Sequence, residues 1–340
     1  MRIGRVWIGG SNPVAVQSMT NTQTADVKAT LAQIRRLQRA GCEIVRIAVP
    51  DSAAAEALPA IRARTAMPLV ADVHFDYRLA LSALEAGFDK VRINPGNIGA
   101  TWKVKEIIRA AADCGAAIRV GVNSGSISRQ ILKKYGGATP LAMIASLADC
   151  LEPFEQLGFR SLVLSAKTTV PRDAIDVCRL IDENWRYPQH LGLTESGLPF
   201  EGAIRSAAVL GVLLAEGIGD TIRISLAGDP VPEVTAAWEL LAGLSLRQRG
   251  PVVYACPTCS RTGIDVCGLA QAVKRALRDE TRPLRIAVMG CVVNGPGEAA
   301  AADFGICGGK ERGVVFARGK RVLTCSEARL VPELIRLIRG

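Results

Sequence analysis

The chain has 340 residues, with 42 Lys and Arg against 32 Asp and Glu, which gives a formal net charge of +10. Apolar residues make up 49% of the chain and charged residues 22%, a composition that excludes wholesale disorder and supplies a sizeable core. The first residues contain no long apolar segment ahead of a small-residue cleavage site, and no run reaches the ~20 apolar residues of a membrane span. We therefore expect a cytoplasmic protein with neither a secretory signal nor a membrane-spanning segment.

The excess positive charge predicts a negatively charged partner. Basic residues occur in pairs at most, and aromatic residues are only 4% of the chain, whereas a nucleic-acid-binding surface usually combines a basic stripe with stacking aromatics. We therefore expect that the chain binds no nucleic acid. The charge pattern favours a phosphorylated small molecule or an acidic protein.

Short β-branched runs alternate with helical segments through the first two thirds of the chain. The runs cover residues 14–19, 43–49, 68–73, 89–94, 117–122, 161–166, 189–194 and 220–226. Helical periodicity is clearest over 26–41 and 199–217, and four glycines are placed to end helices: Gly41, Gly87, Gly158 and Gly217. This alternation predicts an α/β fold, a (β/α)8 TIM barrel over residues 1–245. A doubly wound open sheet is the alternative, but no GxGxxG follows the first strand.

Residues 244–250 are typical of a linker into a second unit, for which we predict a small α+β domain over residues 250–340. Its expected elements are a strand at 252–256, a helix at 263–277, a strand at 284–290, an extended segment at 313–321 and a helix from about Ser326.

Cations interrupt the predicted barrel strands, where apolar residues are expected. Arg46, Arg92, Arg119 and Arg223 fall in the second, fourth, fifth and eighth strands, and Lys167 ends the sixth. The carboxyl ends of barrel strands form the active site of this architecture. Cations that converge there would bind a polyanion, with arginine forks on phosphate oxygens.

Structural ion pairs inside the barrel are the alternative explanation. The carboxylates that the strand pattern offers as partners are few: Asp72, Glu195 and Glu43. Because uncompensated buried charge is costly, five cations on five strands favour an anion site. Alternate residues share a strand face, so polar groups accompany three of the cations: Asn94 beside Arg92, Asn123 beside Arg119, and Ser225 beside Arg223.

Two further polar residues follow predicted strands. His74 comes just after the third strand and is either an acid–base group or a hydrogen-bonded structural residue. Glu195 follows the seventh strand and is the better candidate for a proton donor, although a helix cap or an ion-pair partner would also fit its position.

The second unit contains CPTC at 256–259 and GCVVNGPGE at 290–298. Cys256, Cys259 and Cys291 are candidate metal ligands, and the Gly-Pro-Gly turn can deliver the Glu298 carboxylate to the same centre. Three thiolates with one non-thiolate ligand suit an iron–sulfur cluster that has one chemically available iron. A zinc site usually has a second CxxC or a His pair, which this chain lacks. Three cysteines remain alternative fourth ligands, namely Cys267, Cys307 and Cys325, and four others are expected as small core residues, namely Cys42, Cys114, Cys150 and Cys178.

Seven segments together resemble the bacterial 4-hydroxy-3-methylbut-2-enyl diphosphate synthase family of the methylerythritol phosphate route to isoprenoids. They are PVAVQSMTNT (13–22), ADVHFDYR (71–78), VRINPGNIG (91–99), RVGVNSGS (119–126), IRISLAGDP (222–230), ACPTCSRT (255–262) and GCVVNGPGEA (290–299). The resemblance implies a TIM barrel followed by a [4Fe-4S] domain, and a reductive ring opening and dehydration of 2-C-methyl-D-erythritol 2,4-cyclodiphosphate. It also implies a homodimer in which the cluster domain of one subunit closes over the barrel of the other.

The resemblance assigns roles to individual residues. It implies cluster ligation by Cys256, Cys259, Cys291 and Glu298, with Asn294 beside the cluster. The diphosphate would be bound by a group of polar residues, Arg92, Arg119, Asn123, Lys167, Arg223 and Ser225, with Arg46, Asp72 and His74 as further contributors. Glu195 would donate a proton near the carbon skeleton.

An external electron donor is required, because the chain has no flavin or nicotinamide motif, and an acidic flavodoxin or ferredoxin suits the basic chain. Two rival functions make different predictions. A pterin-binding barrel enzyme with a zinc-stabilised appendage would be colourless and active without iron. A zinc-bearing nucleic-acid-binding protein would show salt-dependent affinity for RNA or DNA.

Overall fold

The structure is a computed structural model that describes residues 1–309 and 312–340. The chain divides into two compact units, Met1–Arg247 and Gln248–Gly340. No helix in the described part of the chain is long and apolar enough to cross a membrane.

The first unit is a closed barrel of parallel strands, preceded by an antiparallel hairpin of β1 (Arg2–Ile3) and β2 (Val6–Trp7). The barrel strands are β3 (Ala15–Met19), β4 (Ile44–Ala48), β5 (Leu69–Asp72), β6 (Lys90–Ile93), β7 (Ala117–Asn123), β8 (Leu162–Lys167), β9 (His190–Leu191) and β10 (Thr221–Ile222). Their order is β8-β7-β6-β5-β4-β3-β10-β9, and a parallel bridge between Leu164 and Gln189 joins β8 to β9. The predicted (β/α)8 barrel is therefore confirmed.

Helices surround these strands. They are α1 (Val27–Ala40), α2 (Ser52–Arg62), α3 (Tyr77–Glu85), α4 (Pro95–Ile98), α5 (Thr101–Cys114), α6 (Arg129–Tyr135), α7 (Pro140–Gln156), α8 (Pro171–Asn184), α9 (Pro199–Ala215) and α10 (Val231–Gly243). The predicted helix over 26–41 is confirmed: the Asp26 carboxylate accepts from Ala29 N at its start, and Gly41 ends it at φ +100°.

The amino-terminal mouth of the barrel is closed by the hairpin. Ile3 and Ile8 are fully buried against inward residues near the starts of the strands, among them Ala15, Ile44 and Val70. Because alternate residues of a strand share a face, the next inward positions toward the carboxyl ends are occupied by polar side chains such as Arg46 and Asp72. Apolar side chains therefore fill the amino-terminal end of the barrel interior, and polar side chains line the space toward its carboxyl-terminal end, which we call the chamber.

Two barrel strands are shorter than predicted. The sequence suggested strands over 189–194 and 220–226, but the ladder pairs only residues 190–191 and 221–222. Beyond it, Arg223 N still donates to Leu191 O at 3.0 Å, and the chain then turns through Glu195, which has a left-handed backbone. The residues that follow these two short strands therefore belong to loops at the carboxyl-terminal end of the barrel, where the active site of this architecture lies.

The second unit is a five-stranded sheet with three helices. Its elements are β11 (Val252–Ala255), α11 (Val266–Ala276), β12 (Arg285–Met289), α12 (Gly295–Ala301), β13 (Phe304–Gly308), β14 (Arg312–Ala317), β15 (Lys320–Ser326) and α13 (Glu327–Arg339). The strands lie in sequence order; β11, β12 and β13 run parallel, and β14 and β15 are added antiparallel. The sequence did not predict α12 or β13, and the segment 313–321 spans a hairpin that turns at Arg318 and Gly319, both with positive φ.

Candidate active site

Five buried cations come from the inward faces of barrel strands, and a sixth, which is partly buried, directly follows β10. They are Arg46, Lys90, Arg92, Arg119, Lys167 and Arg223. Arg92 and Arg119 are direct neighbours in the ladder between β6 and β7, and Asp72 is the neighbour of Arg92 on β5. Arg119 is only 1% exposed and Lys90 is completely buried. Sequence reasoning missed Lys90, although its position two residues before Arg92 on one strand face was a usable signal.

Two carboxylates offset part of this charge. Arg92 Nη1 lies 3.0 Å from Asp72 Oδ1, and Arg46 Nε lies 3.6 Å from Asp72 Oδ2. Arg223 makes two contacts of 3.2 Å with Glu233, a residue of α10 that the sequence pattern did not single out. The ion-pair explanation is therefore correct for Arg46, Arg92 and Arg223.

The predicted inward carboxylate Glu43 does not face this site. It accepts from Val16 N at 2.9 Å and pairs with Arg247 at 2.7 Å, beside the starts of β3 and β4. This prediction was wrong because Glu43 precedes its strand and lies at the opposite mouth of the barrel.

The pKa of Asp72 reports its surroundings. Burial alone would raise this pKa. It is instead held well below its usual range by the positive charges of Arg46, Arg92 and Arg119 and by a hydrogen bond from His74. Asp72 is therefore an anion at neutral pH, and it holds two guanidinium groups in place.

Three cations have no ion-pair carboxylate in the described part of the chain: Lys90, Arg119 and Lys167. The Lys90 Nζ atom and two guanidinium nitrogens of Arg119 are buried without a hydrogen-bond partner. Burial first, and then repulsion from neighbouring arginines, lowers the pKa of all three groups well below the usual values. A polyanion bound beside them would relieve this repulsion and supply hydrogen-bond acceptors.

Two glycines make room for the cations. A Cβ on Gly192 would lie 2.8 Å from Lys167 Nζ and 2.7 Å from Arg223 O. A Cβ on Gly121 would lie 3.0 Å from Arg92 Nε. The chain therefore carries no side chain at the two inward positions where Lys167 and Arg92 need space.

The remaining predicted substrate-binding residues lie at the carboxyl ends of the strands. Asn123 ends β7 and is paired in register with Lys167. His74 is half-exposed, and its Nε2 lies 3.1 Å from Arg92 Nη1. Ser225 follows β10, and its carbonyl accepts from the Ser196 hydroxyl.

Glu195 lies in a strained loop. Its φ of +53° falls in the left-handed region, which costs a non-glycine residue about 1–3 kcal/mol. The loop is held by the Ser196 hydroxyl and by Ala227 N, which donates to Gly197 O at 3.1 Å. Backbone strain that surrounding contacts maintain is a frequent property of functional residues.

His190 is a second residue that sequence reasoning missed. It is buried on β9, and its Nδ1 lies 2.8 Å from Thr221 Oγ1, while its Nε2 has no partner. Burial, followed by the charges of Arg119, Lys167 and Lys90, holds its pKa well below the usual range. His190 is therefore a neutral imidazole close to the buried cations.

In the second unit, the predicted cysteine ligands lie at neighbouring strand ends. Cys256 directly follows β11, and Cys291 follows β12 by two residues. The CPTC segment is closed by Thr262, whose hydroxyl accepts from Cys259 N at 3.0 Å, and Gly263 N donates to the carbonyl that precedes Cys291 at 2.8 Å. These bonds join the two cysteine loops.

Backbone N–H groups point at the sulfurs. Gly290 N donates to Cys256 Sγ at 3.1 Å. The N–H groups of Asn294 and Val293 lower the pKa of Cys291, and that of Arg261 lowers the pKa of Cys259. Hydrogen bonds to thiolate sulfur are among the groups that tune iron–sulfur clusters. The donor set therefore fits a thiolate-ligated centre.

The other cysteines behave differently. Cys42, Cys150 and Cys178 are buried as predicted, and burial raises their pKa values to about 12, 11 and 12. Cys114 was wrongly predicted as a core residue, because it ends α5 on the solvent side and is exposed.

Glu298 and Asn294 lie at the start of α12. The Gly-Pro-Gly segment forms the first turn of this helix, in which Glu298 is exposed and its N–H donates to Asn294 O at 3.1 Å. Within residues 1–309 and 312–340, no three His, Cys, Asp or Glu side chains converge on one metal ion. A four-iron cluster takes each ligand on a different iron, so its ligands are spread more widely than those of one ion.

A closed barrel with a cationic chamber, followed by a unit with cysteines at its strand ends, defines a two-part TIM-barrel protein. Residues 1–238 match the GcpE TIM-barrel domain and residues 252–340 match the GcpE protein C-terminal domain. The chain belongs to the GcpE family.

Curated relatives are similar to this chain over nearly its whole length. The 4-hydroxy-3-methylbut-2-en-1-yl diphosphate synthase (flavodoxin) of Lawsonia intracellularis is 52% identical over 94% of this chain and 89% of its own. The protein of the same name from Maridesulfovibrio salexigens is 50% identical over 99% of this chain and 94% of its own. A solved dihydropteroate synthase of Xanthomonas albilineans has 17% identity and a TM-score of 0.48 over 69% of this chain and 95% of its own.

Proposed function

We propose that this protein is an iron–sulfur oxidoreductase that converts 2-C-methyl-D-erythritol 2,4-cyclodiphosphate to 4-hydroxy-3-methylbut-2-enyl diphosphate in isoprenoid biosynthesis. The observation that carries the proposal is the buried cation cluster, in which two carboxylates face six cations. A cyclic diphosphate supplies the missing negative charge. The names and high identity of the relatives support the same reaction.

The barrel binds and orients the diphosphate. Arg119 and Lys167 have no ion-pair carboxylate among the described residues, so they are the strongest candidates for direct phosphate contacts. Asp72 fixes the guanidinium of Arg92 from one side, which leaves the other donors of its fork for a phosphate oxygen. Asn123 and Ser225 add neutral hydrogen-bonding groups at the strand ends.

The chain also supplies positions for a [4Fe-4S] cluster. Cys256, Cys259 and Cys291 would hold three irons, and Glu298 would hold the fourth with Asn294 nearby. A carboxylate is a harder ligand than a thiolate, which suits the iron that must exchange ligands. When bound, the cluster supplies electrons singly and a Lewis-acidic iron for the departing oxygen.

The reaction takes up two electrons and two protons and releases one water. The ring C–O bond to phosphate breaks, the phosphate oxygen keeps that electron pair, and a hydroxyl leaves as water. Glu195, at the active end of the barrel and outside the cation cluster, is the proposed proton donor. Its strained backbone is consistent with a fixed orientation of the carboxyl group.

The proposal is tested by turnover of the cyclic diphosphate with a chemical one-electron reductant. Arg119→Met should raise the KM by about tenfold or more, because it removes a buried charge that has no carboxylate partner among the described residues. The matched control is Arg160→Met, which removes an exposed arginine bonded to the Tyr187 hydroxyl at 2.9 Å and should leave the KM unchanged. An unchanged KM in Arg119→Met would contradict the assignment of the chamber.

We further propose a flavodoxin or a ferredoxin as the electron donor, a homodimer as the working state and the cytoplasm as its location. The relatives are named for flavodoxin, which supports the donor. The ten cysteines are all free, which is consistent with a reducing compartment. Sedimentation of the reconstituted protein tests the dimer.

A further inference from the structure

The positive charge of the chain is concentrated in its second unit. Residues 248–340 contain fifteen Lys and Arg against eight Asp and Glu, a net +7, while residues 1–247 contribute only +3. The substrate chamber lies in the first unit, so diphosphate binding does not account for most of the charge. A separate acidic partner would account for it.

The two faces of the second sheet are covered unequally. On one face, a Cβ on Gly313 would lie 2.7 Å from Leu330 of α13, so that helix packs directly on β14. On the opposite face, a Cβ on Gly305 would lie 2.8 Å from Ala299 of α12, so that helix is centred on β13. Among the described residues of the second unit, the helix that contacts β15 is α13, which lies on the face opposite α12.

Cations lie on the α12 side of β14 and β15. Arg321 is directly opposite Phe316 in the ladder, and Phe316 belongs to the apolar cluster beneath α12, so Arg321 faces the α12 side. Thr324 shares that face and accepts from Arg321 Nη2 at 2.6 Å. Arg312 lies on the same face of the sheet, because it is two residues before Val314, which packs against the cluster beneath α12. The side chains of Arg312, Arg321 and Thr324 are all exposed.

The same area continues to the loop of the proposed cluster ligand Cys291. Val292 Cγ1 would lie 3.2 Å from a Cβ on Gly309, and Gly309 N donates to Arg312 O at 2.9 Å. Val292 and Val293 are 69% and 63% exposed. Exposed apolar side chains bordered by arginines are typical of protein interfaces. We name Val292, Val293, Arg312, Arg321 and Thr324 the hairpin patch.

We propose that the hairpin patch is the docking surface for the acidic electron-carrier protein. The inference rests on the proposed function and assigns its electron entry to one surface. Charge complementarity and continuity with the Cys291 loop favour this occupant over any other. Each reduced carrier gives up one electron and leaves oxidised by one electron, so two successive dockings supply the two electrons of one turnover.

The test compares two electron donors in the double variant Arg312→Glu/Arg321→Glu. With reduced flavodoxin, its KM for the carrier should rise about tenfold or more and lose most of its salt dependence. With a small chemical reductant, its turnover should equal that of the parent protein. The matched control is Arg275→Glu on α11, an exposed arginine whose helix packs on the other face, and it should change neither assay.

Direct titration of flavodoxin into the reconstituted protein measures binding without turnover, and the double variant should bind at least about tenfold more weakly. Equal binding by parent and double variant would overturn the docking surface. An equal loss of turnover with both donors, together with a changed oligomeric state, would show that a second copy of the chain covers the patch. An inactive parent protein with the chemical reductant would instead overturn the proposed function, while the binding titration would still decide the docking surface.

Discussion

Asp72→Asn tests the charge balance of the barrel chamber. The substitution keeps the shape of the side chain but leaves Arg92, at 3.0 Å, and Arg46, at 3.6 Å, without their carboxylate. Breaking a buried ion pair costs about 3–5 kcal/mol, and for a unit of this size each kcal/mol lowers the Tm by about 2–4 °C. We therefore expect the thermal unfolding midpoint to fall by about 6–20 °C.

The pH dependence of this effect has a definite sign. Because the pKa of Asp72 is depressed in the folded state, its contribution is present above the unfolded pKa of about 3.9 and is lost as pH falls through the folded pKa. The variant should therefore be least stable relative to the parent near neutral pH. The difference should disappear in strong acid, where both side chains are uncharged.

Inorganic pyrophosphate provides the second arm of this experiment. It should raise the unfolding midpoint of Asp72→Asn more than that of the parent, because the anion replaces the missing negative charge. The control is Asp176→Asn, which removes a partly exposed carboxylate from between Arg172 and Arg179 and should have little effect. A midpoint within about 2 °C of the parent, with equal pyrophosphate shifts, would refute the reasoning.

Three further predictions concern the same chamber. Gly192→Ala should raise the substrate KM about 10- to 100-fold by displacing Lys167, which is the loss expected for one charge-assisted hydrogen bond. The control is Gly211→Ala, which should leave the KM unchanged because the nearest atom to its added Cβ is 3.9 Å away. Equal KM values for the two variants would contradict the packing argument. Glu195→Gln should lower kcat about 10²- to 10⁴-fold with little change in KM, and an unchanged kcat would exclude proton donation. The His190 ring signals in an NMR titration should not show the midpoint at about pH 6.5 of an ordinary imidazole, because burial and the neighbouring cations keep the ring neutral; a signal that titrates there would contradict its placement.

The barrel could be predicted from the sequence because each strand and helix has its own local signal. Alternating β-branched runs mark the strands, and Asp26 and Gly41 mark the ends of α1. The cations were visible because arginine is unusual in a buried strand. Each of these signals lies within a few consecutive residues, so a single amino-acid sequence is enough to predict these features.

Long-range partners could not be predicted in the same way. Glu233 lies in α10 and accepts from Ser18, 215 residues earlier, as well as from Arg223, and no local pattern marks such a contact. The role of Gly192 appears only when β9 and β8 bring it beside Lys167. The ends of β9 and β10 were missed because their apolar pattern continues after the ladder has ended.

The central claim is that one chain combines a diphosphate chamber with an iron–sulfur centre. The most direct measurement is the absorption spectrum with iron and sulfide counts after anaerobic reconstitution, in the parent protein and in Cys291→Ala. We expect a brown parent protein with about four irons and four sulfides per chain, and loss of the cluster in Cys291→Ala, with pyrophosphate binding by the barrel retained. A colourless parent protein that contains only zinc after reconstitution would contradict the account.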